Sequence, residues 1–149
     1  MRAVVQRVSS ASITIDGKVK GEIGKGLLVF VAVSHNDNTD IMKWICNKLV
    51  NLRIFSDEEG KMNKSVLDTG GGILLISNFT LYGDANKGFR PSFIKSAPPE
   101  ISKPLYESMV LHLKENYPIQ IASGEFAAMM DIKLVNDGPV TIIIEKEAE

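Results

Sequence analysis

The sequence is poor in the side chains from which most catalytic centres are built. It has one cysteine, Cys46, and two histidines, His35 and His112, among 149 residues. A zinc site needs three or four ligands at close spacing, and no such cluster is present. A G-x-S-x-G elbow, a Walker A loop and a strand-linked G-x-G-x-x-G are missing as well. If the protein is an enzyme, we therefore expect a site of backbone groups and hydroxyls, with no metal and no cofactor.

Other absences limit the setting in which the protein works. No apolar run approaches the ~20 residues of a membrane helix, and the opening "MRAVVQRVSSASITI" alternates like a strand, without the apolar core of a signal peptide. A single cysteine excludes an internal disulfide, so we expect a cytoplasmic protein with no membrane partner. The net charge of −1 gives no general basic field. A nucleic acid would therefore be bound through a local patch, or by a small part of the molecule.

What is present is typical of one globular domain spanning residues 1–149. Apolar residues at helical spacing predict one helix over about 39–52 and a second around Leu105–Leu113, with Pro104 in its first turn. The run "GLLVFVAV" predicts a central strand buried on both faces. This pattern favours an α+β fold with two main helices and a mixed or antiparallel sheet. Further strands are predicted at 2–8, 11–16, 73–82, 126–135 and 140–146, and loops at 56–72 and 83–100.

Two segments carry the only hints of chemistry. "LVNDGPVTIII" joins two β-branched runs through Gly138 and Pro139, which are turn formers, although a proline at the start of a strand costs a ladder hydrogen bond. "SNFTL" places Ser77, Asn78 and Thr80 in an apolar strand. These polar groups either pair with neighbouring backbone, or mark strand-end N–H groups that bind a developing oxyanion. From the residues alone, an enzyme and a binding module are equally favoured.

Read together, the two segments resemble the D-aminoacyl-tRNA deacylase family. The resemblance extends through "RAVVQRV", "GEIGKGLLVFVAV", "RIFSDEEGKMN", "KGFRPSF" and "SGEFAAMMDIKLVNDGPVT", and so covers nearly the whole chain. It implies a barrel-like sheet and a homodimer with its active site at the subunit interface. The implied reaction is hydrolysis of D-aminoacyl-tRNA, and the implied partner is the 3′-terminal aminoacyl-adenosine, with no DNA expected.

The resemblance also implies roles for individual residues. The Gly138–Pro139 bond should be cis, with carbonyl oxygens that enter the other subunit's site, bind the substrate ammonium and exclude L side chains. Arg7 should help to fix those carbonyls, and Met130 should line the adenosine pocket. Within the strand-end motif, the N–H of Phe79 should face the ester carbonyl, with help from backbone near Ala97. Thr80 should position groups, while the tRNA 2′-hydroxyl assists attack by water.

The sequence departs from the family at one motif position. Asn78 stands where the family usually has glutamine, which puts the rate in question more than the reaction. Two rivals remain: a deacylase for another ester or N-acyl group, and a non-catalytic nucleic-acid-binding module. The segment 84–103 has Lys87, Arg90, Lys95 and Lys103 against two acidic residues, a modest basic patch that would serve such a module or simply be a solvated loop.

Overall fold

A computed structural model describes all residues, 1–149, as eight strands and three helices. The first half contains β1 (Arg2–Ile15), β2 (Lys18–Ile23), β3 (Gly26–Ala32), α1 (Thr39–Asn51), β4 (Phe55–Ser56), β5 (Met62–Lys64) and α2 (Val66–Thr69). The second half contains β6 (Gly72–Ser77), a 3-10 turn (Phe79–Tyr82), α3 (Pro99–Asn116), β7 (Ile121–Ser123) and β8 (Asp131–Glu145).

One mixed sheet of six strands dominates the molecule. Its order is β2-β1-β3-β6-β7, and β8 pairs with β1. The long β1 pairs antiparallel with β3 over its first half, with β2 over its second half and with β8 along most of its length. The pairs β3–β6 and β6–β7 are parallel. The sheet is nearly closed and barrel-like, so the predicted α+β class and sheet type are confirmed.

The sheet buries apolar side chains on both faces. The larger cluster lies under α1 and α3 and includes Val29 of β3, and the smaller one includes Leu28 from the opposite face of the same strand. The prediction that "GLLVFVAV" is buried on both faces is therefore confirmed. Helix α1 begins where predicted, because the Asn38 side chain accepts a hydrogen bond from the Ile41 N–H at 3.0 Å. Cys46 is fully buried on this helix, as a small apolar residue would be.

The predicted strand over 73–82 is too long. β6 ends at Ser77, and the chain turns at Asn78, whose N–H donates to the Val31 carbonyl at 2.8 Å. Phe79 then opens the 3-10 turn. The polar residues of "SNFTL" therefore mark the end of a strand, which brings this segment to the carboxyl edge of the parallel pair β3–β6.

The Gly138–Pro139 pair does not form a hairpin turn, because β8 continues through it. Asn136 pairs with Val8 and Thr141 pairs with Gln6, so four residues of β8 lie opposite Arg7 alone. This wide bulge leaves Pro139 without a ladder partner, and its missing N–H costs nothing there. The bulge therefore explains how Pro139 can lie within a β-strand without the loss of a ladder hydrogen bond.

Smaller differences arise where short elements lack a clear periodic signal. α3 begins at Pro99, so Pro104 lies in its second turn and not its first. The predicted loop 56–72 contains β5 and α2, the short β7 was not predicted, and residues 126–130 precede β8 without being part of it. None of the helices is long and apolar enough to cross a membrane.

Candidate active site

A cavity of about 440 Å³ lies at the carboxyl ends of the parallel strands β3 and β6. Backbone hydrogen bonds fasten its walls to the sheet, since Asn78 donates to the Val31 carbonyl and Ala97 donates to the Val33 carbonyl, each at 2.8 Å. Its lining is mostly apolar, with three serine hydroxyls. The lining residues are Ala32, Val33, Ser77, Phe79, Phe93, Ser96, Ala97, Pro99, Ser102, Phe126 and Ala127.

Phe79 is held from two sides at the cavity rim. Its ring makes an edge-to-face contact with Phe93, with ring centroids 5.2 Å apart, and its carbonyl accepts a hydrogen bond from the Ser96 hydroxyl at 2.7 Å. The first N–H groups of a helical turn have no acceptor within it, and no side chain caps this turn. The Phe79 N–H accordingly has no hydrogen-bond acceptor in this protomer.

Asn78 and Thr80 interact directly beside this donor. The Thr80 hydroxyl donates to Asn78 Oδ1 at 2.5 Å. Neither residue lines the cavity, and the acceptor of the Thr80 hydroxyl is an amide oxygen, which is too weak a base to remove its proton. The Asn78 side chain is thus the group that holds the Thr80 hydroxyl.

The cavity lining contains no titratable side chain. Beneath it, the Tyr106 hydroxyl donates to the Leu75 carbonyl at 2.9 Å, and burial raises the pKa of Tyr106 to about 12. This phenol stays protonated at neutral pH and serves as a structural donor. The arrangement can stabilise developing negative charge, but it supplies neither a general base nor a strong nucleophile.

Ala97 and Met130, two expected site residues, lie in different surroundings. Ala97 lines the cavity and its N–H donates to the Val33 carbonyl, so the help expected from backbone near Ala97 in binding an oxyanion stays a prediction. Met130 is absent from the cavity lining and packs against the smaller core cluster. In this protomer the cavity therefore unites Ser77, Phe79 and Ala97, and leaves Met130 outside.

Gly138, Pro139 and Arg7 lie apart from this cavity. The Gly138–Pro139 peptide bond is cis. The Arg7 side chain donates to the Asp137 carbonyl at 2.9 Å and to the Ile54 carbonyl at 2.7 Å, and so it fixes the residue immediately before the motif. Arg7 thereby anchors the start of the bulge, one residue earlier than expected.

Any residue other than glycine is strained at position 138. Its φ of +154° lies in a region that L side chains rarely adopt. A Cβ atom built there would lie 2.8 Å from Val140 Cγ2 and closer still to the Val140 amide nitrogen. The bulge is also spanned by Asn136, whose side-chain amide donates to the carbonyls of Arg7 at 3.1 Å and Val140 at 3.0 Å.

Comparison with known proteins decides the family. The sequence signature described as D-Tyr-tRNA(Tyr) deacylase matches residues 4–145. The chain belongs to this deacylase family. The family predicted from "SNFTL" and "NDGPV" is therefore confirmed.

Similar proteins match the chain over almost its full length. A D-aminoacyl-tRNA deacylase of Petrotoga mobilis is 52% identical over 99% of this chain and 98% of its own length. One of Bacteroides thetaiotaomicron is 53% identical over 97% of both chains. A solved structure named "c-Myc DNA Unwinding Element Binding Protein" has a TM-score of 0.94 at 40% identity and covers 99% of this chain and 100% of its own.

A more distant solved structure shares the fold of this chain. It is described as a probable eukaryotic D-amino acid tRNA deacylase and has a TM-score of 0.79 at 17% identity, covering 96% of this chain and 97% of its own. The barrel-like sheet is therefore retained where most residues differ.

Sequence patterns do not reveal several residues that build the site. Asn136 has the character of a turn former, and Phe93 and Ser96 lie in a predicted loop, because their partners are distant in sequence. The histidines have structural contacts: His35 Nε2 lies 2.8 Å from the Ile94 carbonyl, and His112 contacts Asn116. No group of three or more His, Cys, Asp or Glu side chains is arranged to hold a metal ion.

Proposed function

We propose that this protein hydrolyses the ester bond of D-aminoacyl-tRNA and releases free tRNA and the D-amino acid. Water adds to the acyl carbon, the bond to the ribose oxygen of the terminal adenosine breaks, and that oxygen takes up a proton. Membership of the deacylase family supports this activity. The observation that carries it is the free Phe79 N–H at the rim of a cavity without titratable side chains.

The chemistry fits an ester that is already activated. The N–H of Phe79 binds the oxyanion that forms when water attacks, and the rigid rim keeps this donor in place. The lining has no base, and we assign assistance of the attacking water to the 2′-hydroxyl of the terminal adenosine, as the family resemblance implies. Thr80, oriented by Asn78, positions groups at the edge of the site and is not the nucleophile.

Selection of the D form is assigned to the Gly138–Pro139 carbonyls of a second subunit. Within one protomer these residues do not line the cavity, so the proposed selection requires that they reach a neighbour's site. β8 is hydrogen-bonded to β1 alone and exposes the apolar side chains of Val135 and Ile143, which fits an edge that pairs with another copy. Carbonyls fixed at that place bind the substrate ammonium and collide with an L side chain.

The first experiment compares deacylation of D-tyrosyl-tRNA, L-tyrosyl-tRNA and glycyl-tRNA, without added metal and then with EDTA. We expect EDTA-insensitive release from the D form, none from the L form, and some release from glycyl-tRNA, because glycine has no side chain to exclude. Release from the L form at the same rate would contradict the chiral filter. Complete inertness towards glycyl-tRNA at high enzyme concentration would contradict rejection by steric exclusion.

The role of the Phe79 N–H is tested by a matched pair of variants. Phe79→Ala and Phe79→Pro both remove the ring, but only proline removes the N–H, and proline is tolerated at the first position of a helical turn. Loss of one oxyanion donor lowers kcat by about 100- to 1,000-fold. We expect that loss for Phe79→Pro relative to Phe79→Ala. Equal kcat values in two folded variants would contradict the assignment.

A mixture of two impaired variants, Phe79→Pro and Gly138→Ala, tests whether the active site is shared between subunits. Phe79→Pro protomers have an impaired cavity, and Gly138→Ala protomers have a disturbed bulge. If the site is shared, a heterodimer contains one cavity with an intact Phe79 facing an intact Gly138–Pro139, so the mixture regains D-selective activity after subunit exchange. A mixture no better than the average of its parents, with exchange verified by mass, would contradict a shared site.

A binding module remains the second candidate because one solved relative is named as a DNA-binding protein. A module of this kind would retain nucleic acid on a filter in a salt-dependent manner, without turnover. The net charge of −1 limits that affinity to a local patch. Retention of tRNA with no release from either enantiomer would favour this candidate over the deacylase.

A further inference from the structure

A compact loop beside the cavity displays a fully exposed aromatic ring. Residues 84–92, called here the 84–92 loop, are closed at their base by two backbone hydrogen bonds of 2.8 Å between Asp84 and Ser92. Gly88 adopts a φ of +64°, a conformation that favours glycine, and turns the chain at the tip. Phe89 follows it with a relative exposure of 106%. No part of this protomer covers the ring.

Both ends of the loop are attached to the walls of the cavity. On one side, Gly83 follows the 3-10 turn that Phe79 begins. On the other side, Phe93 lines the cavity and contacts the Phe79 ring, and the next residue, Ile94, offers its carbonyl to His35 at 2.8 Å. The 84–92 loop therefore projects from the mouth of the cavity, and both of its ends are fixed to the cavity wall.

The charges around Phe89 are cationic and unpaired. Lys87 and Arg90 flank it, Lys95 follows near the base, and none of the three forms an ion pair. Asp84 is the only acidic residue in the segment 84–95, and its carboxylate accepts the Asn86 N–H at 2.9 Å. An exposed aromatic ring near basic side chains that form no ion pair is typical of surfaces that bind single-stranded nucleic acid. On such surfaces a base stacks on the ring and the phosphates contact the basic side chains.

We propose that Phe89 stacks on an unpaired base of the tRNA 3′ end, upstream of the terminal adenosine, while Lys87 and Arg90 contact the adjoining phosphates. The proposal rests on the proposed function, because it places the aminoacyl-adenosine in the cavity and the preceding nucleotides at its mouth. It explains how a protein with a net charge of −1 holds a tRNA substrate: it grips the single-stranded end and needs no broad basic surface.

Kinetics with long and short substrates test the proposal. The variants are Phe89→Ala, Phe89→Trp and, as a control, Leu111→Ala, which removes another exposed apolar side chain, on α3. For D-tyrosyl-tRNA we expect Phe89→Ala to raise KM about tenfold, within the range of base–aromatic stacking, with kcat unchanged. Phe89→Trp should restore KM, and Leu111→Ala should not alter it. For 3′-O-D-tyrosyl-adenosine, which lacks the upstream bases, all variants should match the parent protein.

A binding measurement separates this proposal from the proposed function. The probe is an RNA stem-loop that carries no amino acid. Its single-stranded 3′ end has the fluorescent base 2-aminopurine upstream of the terminal adenosine. Stacking on Phe89 quenches it, so the parent protein and Phe89→Trp should quench the probe and Phe89→Ala should not. Quenching without hydrolysis of any D-aminoacyl-tRNA would overturn the proposed function and support the stacking role.

Other outcomes would overturn the stacking role while leaving the deacylase activity in place. These are an unchanged KM for D-tyrosyl-tRNA in Phe89→Ala, or an equal loss on tRNA and on the adenosine ester. A change in oligomeric state of Phe89→Ala would likewise overturn it and would assign the ring to a contact between copies of this chain.

Discussion

The substitution Gly138→Ala adds one methyl group at the centre of the β8 bulge. The new Cβ would lie 2.8 Å from Val140 Cγ2 and closer to the Val140 amide nitrogen, and the φ of +154° is one that alanine rarely adopts. Such backbone strain costs about 1–3 kcal/mol. For a chain of this length, each 1 kcal/mol lowers Tm by roughly 2–4 °C, so we expect a decrease of roughly 2–12 °C.

The functional effect should exceed the loss of stability. To relieve the contact, residues 137–140 must shift, and a misplacement of about 1 Å in a positioning group lowers rates by up to about 100-fold. We therefore expect kcat/KM for D-tyrosyl-tRNA to fall by up to about 100-fold and the preference over L-tyrosyl-tRNA to shrink. Both rates are measured by release of labelled amino acid, below the Tm of the variant.

Gly24→Ala is the matched control. A Cβ at position 24 meets nothing within 4 Å, and Gly24 does not have the positive φ of Gly138. We expect this control to keep the parent Tm and selectivity. If Gly138→Ala also kept both, the inference that the bulge fixes the selective carbonyls would be refuted. A lower Tm with unchanged selectivity would confine Gly138 to a structural role.

Three further predictions follow from local contacts. Arg7→Ala removes the donor to the Asp137 carbonyl and should lower the free energy of unfolding by about 2–4 kcal/mol and weaken D/L discrimination, measured by urea titration and deacylation; a normal D/L ratio would contradict its anchoring role. Asn78→Ala frees the Thr80 hydroxyl and should lower kcat several-fold, whereas Asn78→Gln should retain most of it; equal rates in all three proteins would show that the 2.5 Å contact does not matter for catalysis. Burial raises the pKa of the Cys46 thiol from 9.0 to about 12, so a thiol reagent at pH 8 should label the native protein far more slowly than the urea-unfolded chain; rapid labelling of the native protein would contradict the buried position. Above pH 9 the unfolded chain loses this proton before the native protein does, so the free energy of unfolding should fall as the pH rises towards 12.

Local patterns predicted the parts of the fold in which one residue interacts with near neighbours. Helix α1 followed from its Asn38 cap and the spacing of its apolar residues, and the two-faced burial of β3 followed from its continuous apolar run. The predictions were wrong where a distant partner decides the outcome. Gly138 and Pro139 have the composition of a turn, and only pairing with β1, more than 120 residues away, keeps them within a strand.

In the candidate site, too, the features set by neighbours in sequence were predicted and those set by distant partners were not. The strand-end motif was found from its polar residues, and its family from two motifs read together. Ser96 and Phe93 could not be found in this way, because a hydroxyl bound to the Phe79 carbonyl and a ring against the Phe79 ring leave no periodic signal. The bonding of the Ala97 N–H to Val33 was equally hidden, because it depends on how a long loop returns to β3.

The lack of titratable side chains in the cavity also determines how this protein can be probed or inhibited. The lining offers no thiol, amine or carboxylate to a reactive group, and the one cysteine is buried on the core-facing side of α1. The serine hydroxyls of the lining have no base beside them in that lining, so covalent active-site titration, a usual way to count competent enzyme molecules, has no activated nucleophile to label here. Counting must rely on the stoichiometry of a tight, non-reactive substrate mimic, and we expect an inhibitor to compete by shape and, on the proposed role of the Phe79 N–H, by an acceptor placed against that group.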